Sequence, residues 1–224
     1  MKHSHSRHIV VLVLAALVAC GGSSQQAVET KPSPQGGVVP NSGPADPYSQ
    51  RYPPTAADIE FMSGMISHHA QAIAMSKWAP THGASESIKT LAGRIINAQQ
   101  DEINLMSQWL RDKKQPVPEA SPTGMKMVMN GVEHEMLMPG MLTPEQMKEL
   151  DAARGPEFDQ KFLTFMIQHH QGAVGMVQKL FGTPGSAQNE QVFKFASDVQ
   201  VDQSTEIARM EKMLFMLKVT GPQP

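Results

Sequence analysis

Two pairs of adjacent histidines, His68-His69 and His169-His170, are the residues of this chain whose type and spacing could do chemistry. Each pair has a methionine one helical turn upstream, Met65 and Met166, and another downstream, Met75 and Met176. Imidazole and thioether together form a soft donor set suited to Cu(I). Met65 lies three and four residues from the first pair, so on a helix all three side chains fall within one turn. Met75 is seven residues from His68, about 10 Å along a helix axis, too far for one ion to use both without distortion. Further candidates come from two other segments: Glu102 with Met106, and Glu206 with Met210.

The elements that must position these residues are duplicated. Asp58-x-x-Phe61-x-x-x-Met65-Ile66-x-His68-His69 recurs as Asp159-x-x-Phe162-x-x-x-Met166-Ile167-x-His169-His170, and Gln99-x-x-Glu102-Ile103-x-x-Met106 recurs as Gln203-x-x-Glu206-Ile207-x-x-Met210. Proline, glycine and capping signals predict helices over 55–78, 87–111, 156–181 and 186–218. The expected fold is therefore an all-α, ferritin-like four-helix bundle over 55–218. It is built from repeat one (55–111), a crossover (112–155) and repeat two (156–218).

On a helical wheel His69 and His170 fall near the middle of an apolar arc, and His68 and His169 at its edge. The partner helix of repeat one places Leu91, Ile95, Ala98, Leu105, Met106 and Trp109 on its core arc with Glu102 near the middle. Glu206 falls likewise among Phe195, Val199, Met210 and Met213. A buried carboxylate needs a cation, an imidazole or a metal beside it. Two readings stay open: His–Glu pairs that fix register, or a metal site of Met and His. A di-iron centre would want Glu where Met65 and Met166 stand.

The crossover is too long for a plain connection. Thr143-Pro144-Glu145-Gln146 reads as a capping box opening a short helix, and Asn130-Gly131 as the turn of a small hairpin. In that register Met125, Met127, Met129, Val132, His134 and Met136 share one face. They form either a lid on the bundle or a second candidate metal face.

The chain has 224 residues, a formal net charge of −2, 17 methionines and 5% aromatic residues. It offers no basic surface for nucleic acid. No activated Ser or Cys nucleophile, phosphate loop or His-Glu-x-x-His helix is present, so no enzyme is expected. Lys2 and Arg7 precede a short apolar run, Ile9 to Ala19, which predicts a signal peptide over 1–19. Leu17-Val18-Ala19-Cys20 resembles a lipobox, with Cys20 the lipidated residue. The Gly-, Ser- and Pro-rich stretch 20–54 reads as a tether to a membrane.

The two Phe-x-x-x-Met-Ile-x-His-His motifs, the Gln-x-x-Glu-Ile-x-x-Met motifs and Met138-Pro139-Gly140-Met141 together resemble the bacterial family known as domain of unknown function 305. The resemblance implies a ferritin-like bundle, frequent export and, for some members, copper binding, with no established catalysis. It places the family signature on Met65, His68, His69 and Met75, and on Met166, His169, His170 and Met176. Ser76 and Val177 depart from the alanine usual after each motif, beside the ligands rather than in them. The expected function is an exported, lipid-anchored protein that binds Cu(I) or Ag(I) for sequestration or tolerance. The alternative is a metal-free structural or interaction lipoprotein. Cys20→Ser is expected to release the protein from the membrane fraction or stall its processing, with helical content unchanged. A variant that still fractionates with membranes after normal cleavage overturns the lipoprotein reading.

Overall fold

A computed structural model describes residues 52–129 and 131–220; the signal run, Cys20, the tether up to Arg51, and Asn130 lie outside the described residues. Five helices and one hairpin are present among them. These are α1 (Ala56–Lys77), α2 (Glu86–Asp112), β1 (Met125–Met129), β2 (Val132–Met136), α3 (Pro144–Ala152), α4 (Pro156–Gly182) and α5 (Glu190–Thr220). α1 packs along α2, α4 along α5, and the two hairpins meet through α1 and α4. The predicted four-helix bundle is the observed architecture. No helix among the described residues is long and apolar enough to cross a membrane.

Local chemistry explains the boundaries. The Thr55 hydroxyl accepts from the Asp58 N–H (3.2 Å) and the Asp58 carboxylate accepts from the Thr55 N–H (2.8 Å), a reciprocal cap that starts α1. Thr143 and Gln146 do the same for α3, as expected. The fourth long helix starts at Glu190 rather than Ser186. The Ser186 hydroxyl instead turns back onto the carbonyls of Leu180 and Thr183, and Ala187 adopts φ 54°, which helix cannot accommodate.

The two repeats lock each other. The buried Asp58 of repeat one accepts from the Ala187 N–H in the loop of repeat two (2.7 Å), and the buried Asp159 accepts from the Ser85 N–H in the loop of repeat one (3.2 Å). Each aspartate thus satisfies a backbone donor that has no helical partner.

The crossover forms part of the core. Gln71 of α1 accepts from the Leu142 N–H (2.6 Å) and donates to the carbonyls of Leu142 (3.1 Å) and Pro122 (3.0 Å). Gly140 lies directly on Gly172 of α4, where a Cβ would sit 2.0 Å from the Pro139 oxygen, so glycine at 172 is a steric requirement. Met138, Met141 and Leu142 are buried by this docking. The hairpin has the expected register, with Met125, Met127 and Met129 opposite Met136, His134 and Val132. Every residue of β2 is exposed, and Met125 of β1 packs against the core.

Two apolar cores result. One gathers Met62, Met65 and Phe61 of α1 with Met106 of α2 and Met176 and Leu180 of α4; the other gathers Met75 of α1 with Leu91 of α2, Phe162 and Met166 of α4, and Met210 of α5. α1 and α4 therefore run antiparallel, each contributing its start to one core and its end to the other. Asp58→Ala and Asp159→Ala are each expected to lower stability by about 1 to 3 kcal/mol, the cost of leaving a buried donor unmet. Urea unfolding checks this, and parent-like midpoints in both variants would remove the reciprocal lock.

Candidate metal centre

All four motif histidines are fully buried, where α1 and α4 cross. His68 and His169 face each other with ring centroids 3.8 Å apart and planes tilted by 40°, and His69 and His170 flank them at 6.3 and 6.2 Å. The helical wheel puts His68 and His169 at the edge of the apolar arc; in the structure they are the centre. The cause lies in α1, which is buried on nearly every side from Phe61 to Ser76 by α2, α4 and the crossover, so it has no single apolar face.

Three of the rings set Nε2 near an oxygen, and two of them bond it. His68 Nε2 donates to the Pro139 carbonyl (3.0 Å), His170 Nε2 to Glu206 Oε2 (2.8 Å), and His69 Nε2 lies 2.7 Å from Glu102 Oε2 in a contact off the N–H axis. Carbonyl and carboxylate oxygens only accept, so in the neutral rings the proton sits on Nε2 and Nδ1 keeps its lone pair. Those Nδ1 atoms are buried and without a partner, as are both ring nitrogens of His169. Burial pushes the His68 imidazole down to about 3, helped by His69 and His170 and opposed by the Pro139 bond; burial likewise holds His169 well below its ordinary value, with His68, His170 and His69 adding to the effect. His68 and His169 are therefore neutral donors to a cation rather than cations themselves.

The carboxylates sit further out than the wheel implies. Glu102 and Glu206 are about one-fifth exposed, with side-chain accessibilities of 20% and 24%. The centre of the α2 arc belongs to Gln99, and its counterpart on α5 is Gln203; both are buried, and neither Gln99 polar atom nor Gln203 Oε1 has a partner. Treating glutamine as a surface residue rotates the arc toward Ala98 and Leu105, whereas Leu105 is exposed. The signal for Gln99 and Gln203 is their place at the head of the repeated Gln-x-x-Glu motif. Asp202, raised by burial and by the Glu102, Asp198 and Glu206 carboxylates, makes the outer rim acidic.

The remaining candidates divide cleanly. Met65, Met75, Met106, Met166 and Met210 are fully buried, and Met176 nearly so. Met65, Met106 and Met176 belong to one core and Met75, Met166 and Met210 to the other, so the histidine layer lies between two sets of three thioethers. Met125, His134 and Met136 stand on the hairpin instead. Among the described residues no three His, Cys, Asp or Glu side chains converge as a metal-holding group, so any ion held here would need thioether donors. The donor set fits a soft monovalent cation: unpartnered imidazole lone pairs, buried sulfurs and little charge.

The buried His68 also fixes a pH response. Its pKa is depressed on folding, so the unfolded chain binds the proton more readily and stability falls as pH drops from about 6.5 toward 3. The loss is expected to reach a few kcal/mol, since each tenfold change in proton affinity between the folded and unfolded chain is worth about 1.4 kcal/mol. Denaturation midpoints measured across that range check it, and a His68→Leu variant should show a flatter profile; equal slopes would contradict a neutral buried ring.

Comparison with known proteins agrees with the fold. The model of the family Domain of unknown function (DUF305) matches residues 58–214. A stretch of 57 residues is 46% identical to the uncharacterized protein L153 of Acanthamoeba polyphaga mimivirus, covering 25% of this chain and 38% of that one, so the chain spans well under half the length of this relative. A DUF305 protein from Streptomyces coelicolor, described as secreted, superposes with a TM-score of 0.60 at 28% identity over 75% of this chain and 95% of its own. CopM in its Cu(I)-bound form superposes at 0.52 with 29% identity over 70% of this chain and 94% of its own, and it has also been solved with Cu(II) and with Ag. With the match running through both His-His repeats and the helices that carry them, the chain belongs to the DUF305 family.

Proposed function

We propose that the protein binds Cu(I), or Ag(I) in its place, through the buried histidines and methionines, and that it serves metal sequestration or tolerance outside the cytoplasm. We place it at a membrane through a lipid on Cys20. The observation that carries the reading is the buried, unpartnered Nδ1 of His68, His69 and His170, with Nε2 of His68 and His170 bonded to an oxygen and Nε2 of His69 beside Glu102. Glu102 and Glu206 then act as orienting groups for ligating imidazoles, as carboxylates commonly do behind metal-bound histidine. His–Glu pairing and metal binding cease to be rivals in this arrangement. The Cu(I), Cu(II) and Ag forms of CopM, a structural relative, support the choice of ion, and the secreted relative supports export. The role is one of binding, with no catalytic step assigned.

A metal-free architectural role is the second reading, and the aligned 2.8 Å bond between His170 and Glu206 favours it. His169→Leu separates the two. With both ring nitrogens unpartnered, replacing His169 by an apolar residue removes a buried polar cost, so the apoprotein is expected to gain about 1 to 3 kcal/mol while Cu(I) affinity falls at least tenfold. In the parent, anaerobic Cu(I) is expected to raise the melting temperature well above the effect of equimolar Zn(II), by about 4 kcal/mol of stability when free ion is a thousandfold above Kd. Met65→Leu and Met166→Leu should weaken Cu(I) with little change in the apoprotein. Unchanged Cu(I) affinity across these variants would leave only the architectural reading.

A further inference from the structure

The buried rings have no contact with solvent, so a cation that reaches them must first be taken up by a group that solvent can touch. One place with soft donors at such a position adjoins the segment that meets His68. Between the start of α1 and the end of α4 lies a cavity of about 70 Å³, lined by Phe61, Met138, Pro139, Met176 and Leu180, with Glu60 and Lys179 paired at its rim (3.1 Å). Two of these lining residues, Met138 and Met176, also meet at Gly64. A Cβ there would lie 2.8 Å from Met138 Sδ and 3.5 Å from Met176 Cε, so two methionine side chains end over a single glycine. Both retain some accessibility, 8% each, whereas Met75, the counterpart of Met176 in the other repeat, has none.

We infer that Met138 and Met176 form a second, labile site for a soft monovalent cation, through which ions reach the histidine layer; this rests on the function proposed above. Two neutral thioethers with no carboxylate or thiolate between them discriminate for Cu(I) or Ag(I) and hold it weakly, which suits exchange rather than storage. The position suits onward transfer, because the residue after Met138 is Pro139, whose carbonyl is the acceptor for His68 Nε2. The Glu60–Lys179 pair leaves the rim close to neutral, so a hydrated divalent cation gains nothing by approaching. Met138 comes from the crossover, outside both copies of the repeated motif, so this site has no twin generated by the repeat.

The test uses protein labelled with ¹³C-methyl methionine and Ag(I) as a redox-inert probe, followed by methyl and imidazole resonances. Met138→Leu and Met176→Leu assign the two methyl signals and preserve the apolar volume. Sub-stoichiometric Ag(I) is expected to shift the Met138 and Met176 methyls, and either substitution to slow the response of the histidine rings about tenfold, with Met138→Leu changing the final affinity of the rings less than threefold. If the rings respond while these methyls stay put, or if both variants load at the parent rate, the uptake site is wrong and the histidine site stands. If neither rings nor methyls respond to Ag(I), the proposed function falls with it. Met176→Leu leaves the crossover loop untouched, so a docking defect in Met138→Leu cannot imitate the result.

Discussion

The structure turns on a shortage of hydrogen-bond partners in one buried layer. Four imidazoles meet where α1 crosses α4, and of their eight ring nitrogens two are hydrogen-bonded, one to a carbonyl and one to a carboxylate. A neutral imidazole with an unmet nitrogen is costly in an apolar interior, and the depressed basicity of His68 and His169 prevents protonation from relieving that cost near neutral pH. An architectural layer would be expected to complete its pairs. This one leaves lone pairs facing protein, flanked on both sides by methionine sulfur.

Everything around the layer holds it in place. The two apolar cores lie on either side of it, the Asp58 and Asp159 contacts tie each repeat to the other, and the crossover closes over it through Gln71, Gly172 and Pro139. The duplication is not complete, however. His68 has the Pro139 carbonyl and His169 has no counterpart, because a single crossover can dock on only one of two related surfaces. The two halves thus present different ring environments despite nearly identical motifs.

Much of the fold is legible from spacing alone. The repeat defines the hairpins, Gly and Pro mark their ends, and Asn130-Gly131 sets the register of the ribbon. The choice of His, Met and Glu as site residues also follows from the repeat. What the wheel misplaces is depth: it assumes one buried face per helix, and α1 is enclosed on nearly all sides, which moves His68 to the centre and leaves Glu102 toward solvent. Gln99 and Gln203 escape notice for a related reason, since an amide reads as surface until tertiary packing shows otherwise. Met138 cannot be assigned from sequence because its neighbours, Gly64 and Met176, are brought to it by a long-range docking with no local signature.

The exchange of aspartate contacts between repeats also bears on how the chain becomes a protein. When only the first hairpin has been made, Asp58 already caps its own helix, but the Ala187 amide it must also receive lies far down the chain, and the Ser85 amide waits for Asp159. Neither hairpin carries the partners needed to complete itself. Closure of either hairpin is therefore coupled to the presence of the other, and the two halves gain their last backbone hydrogen bonds together.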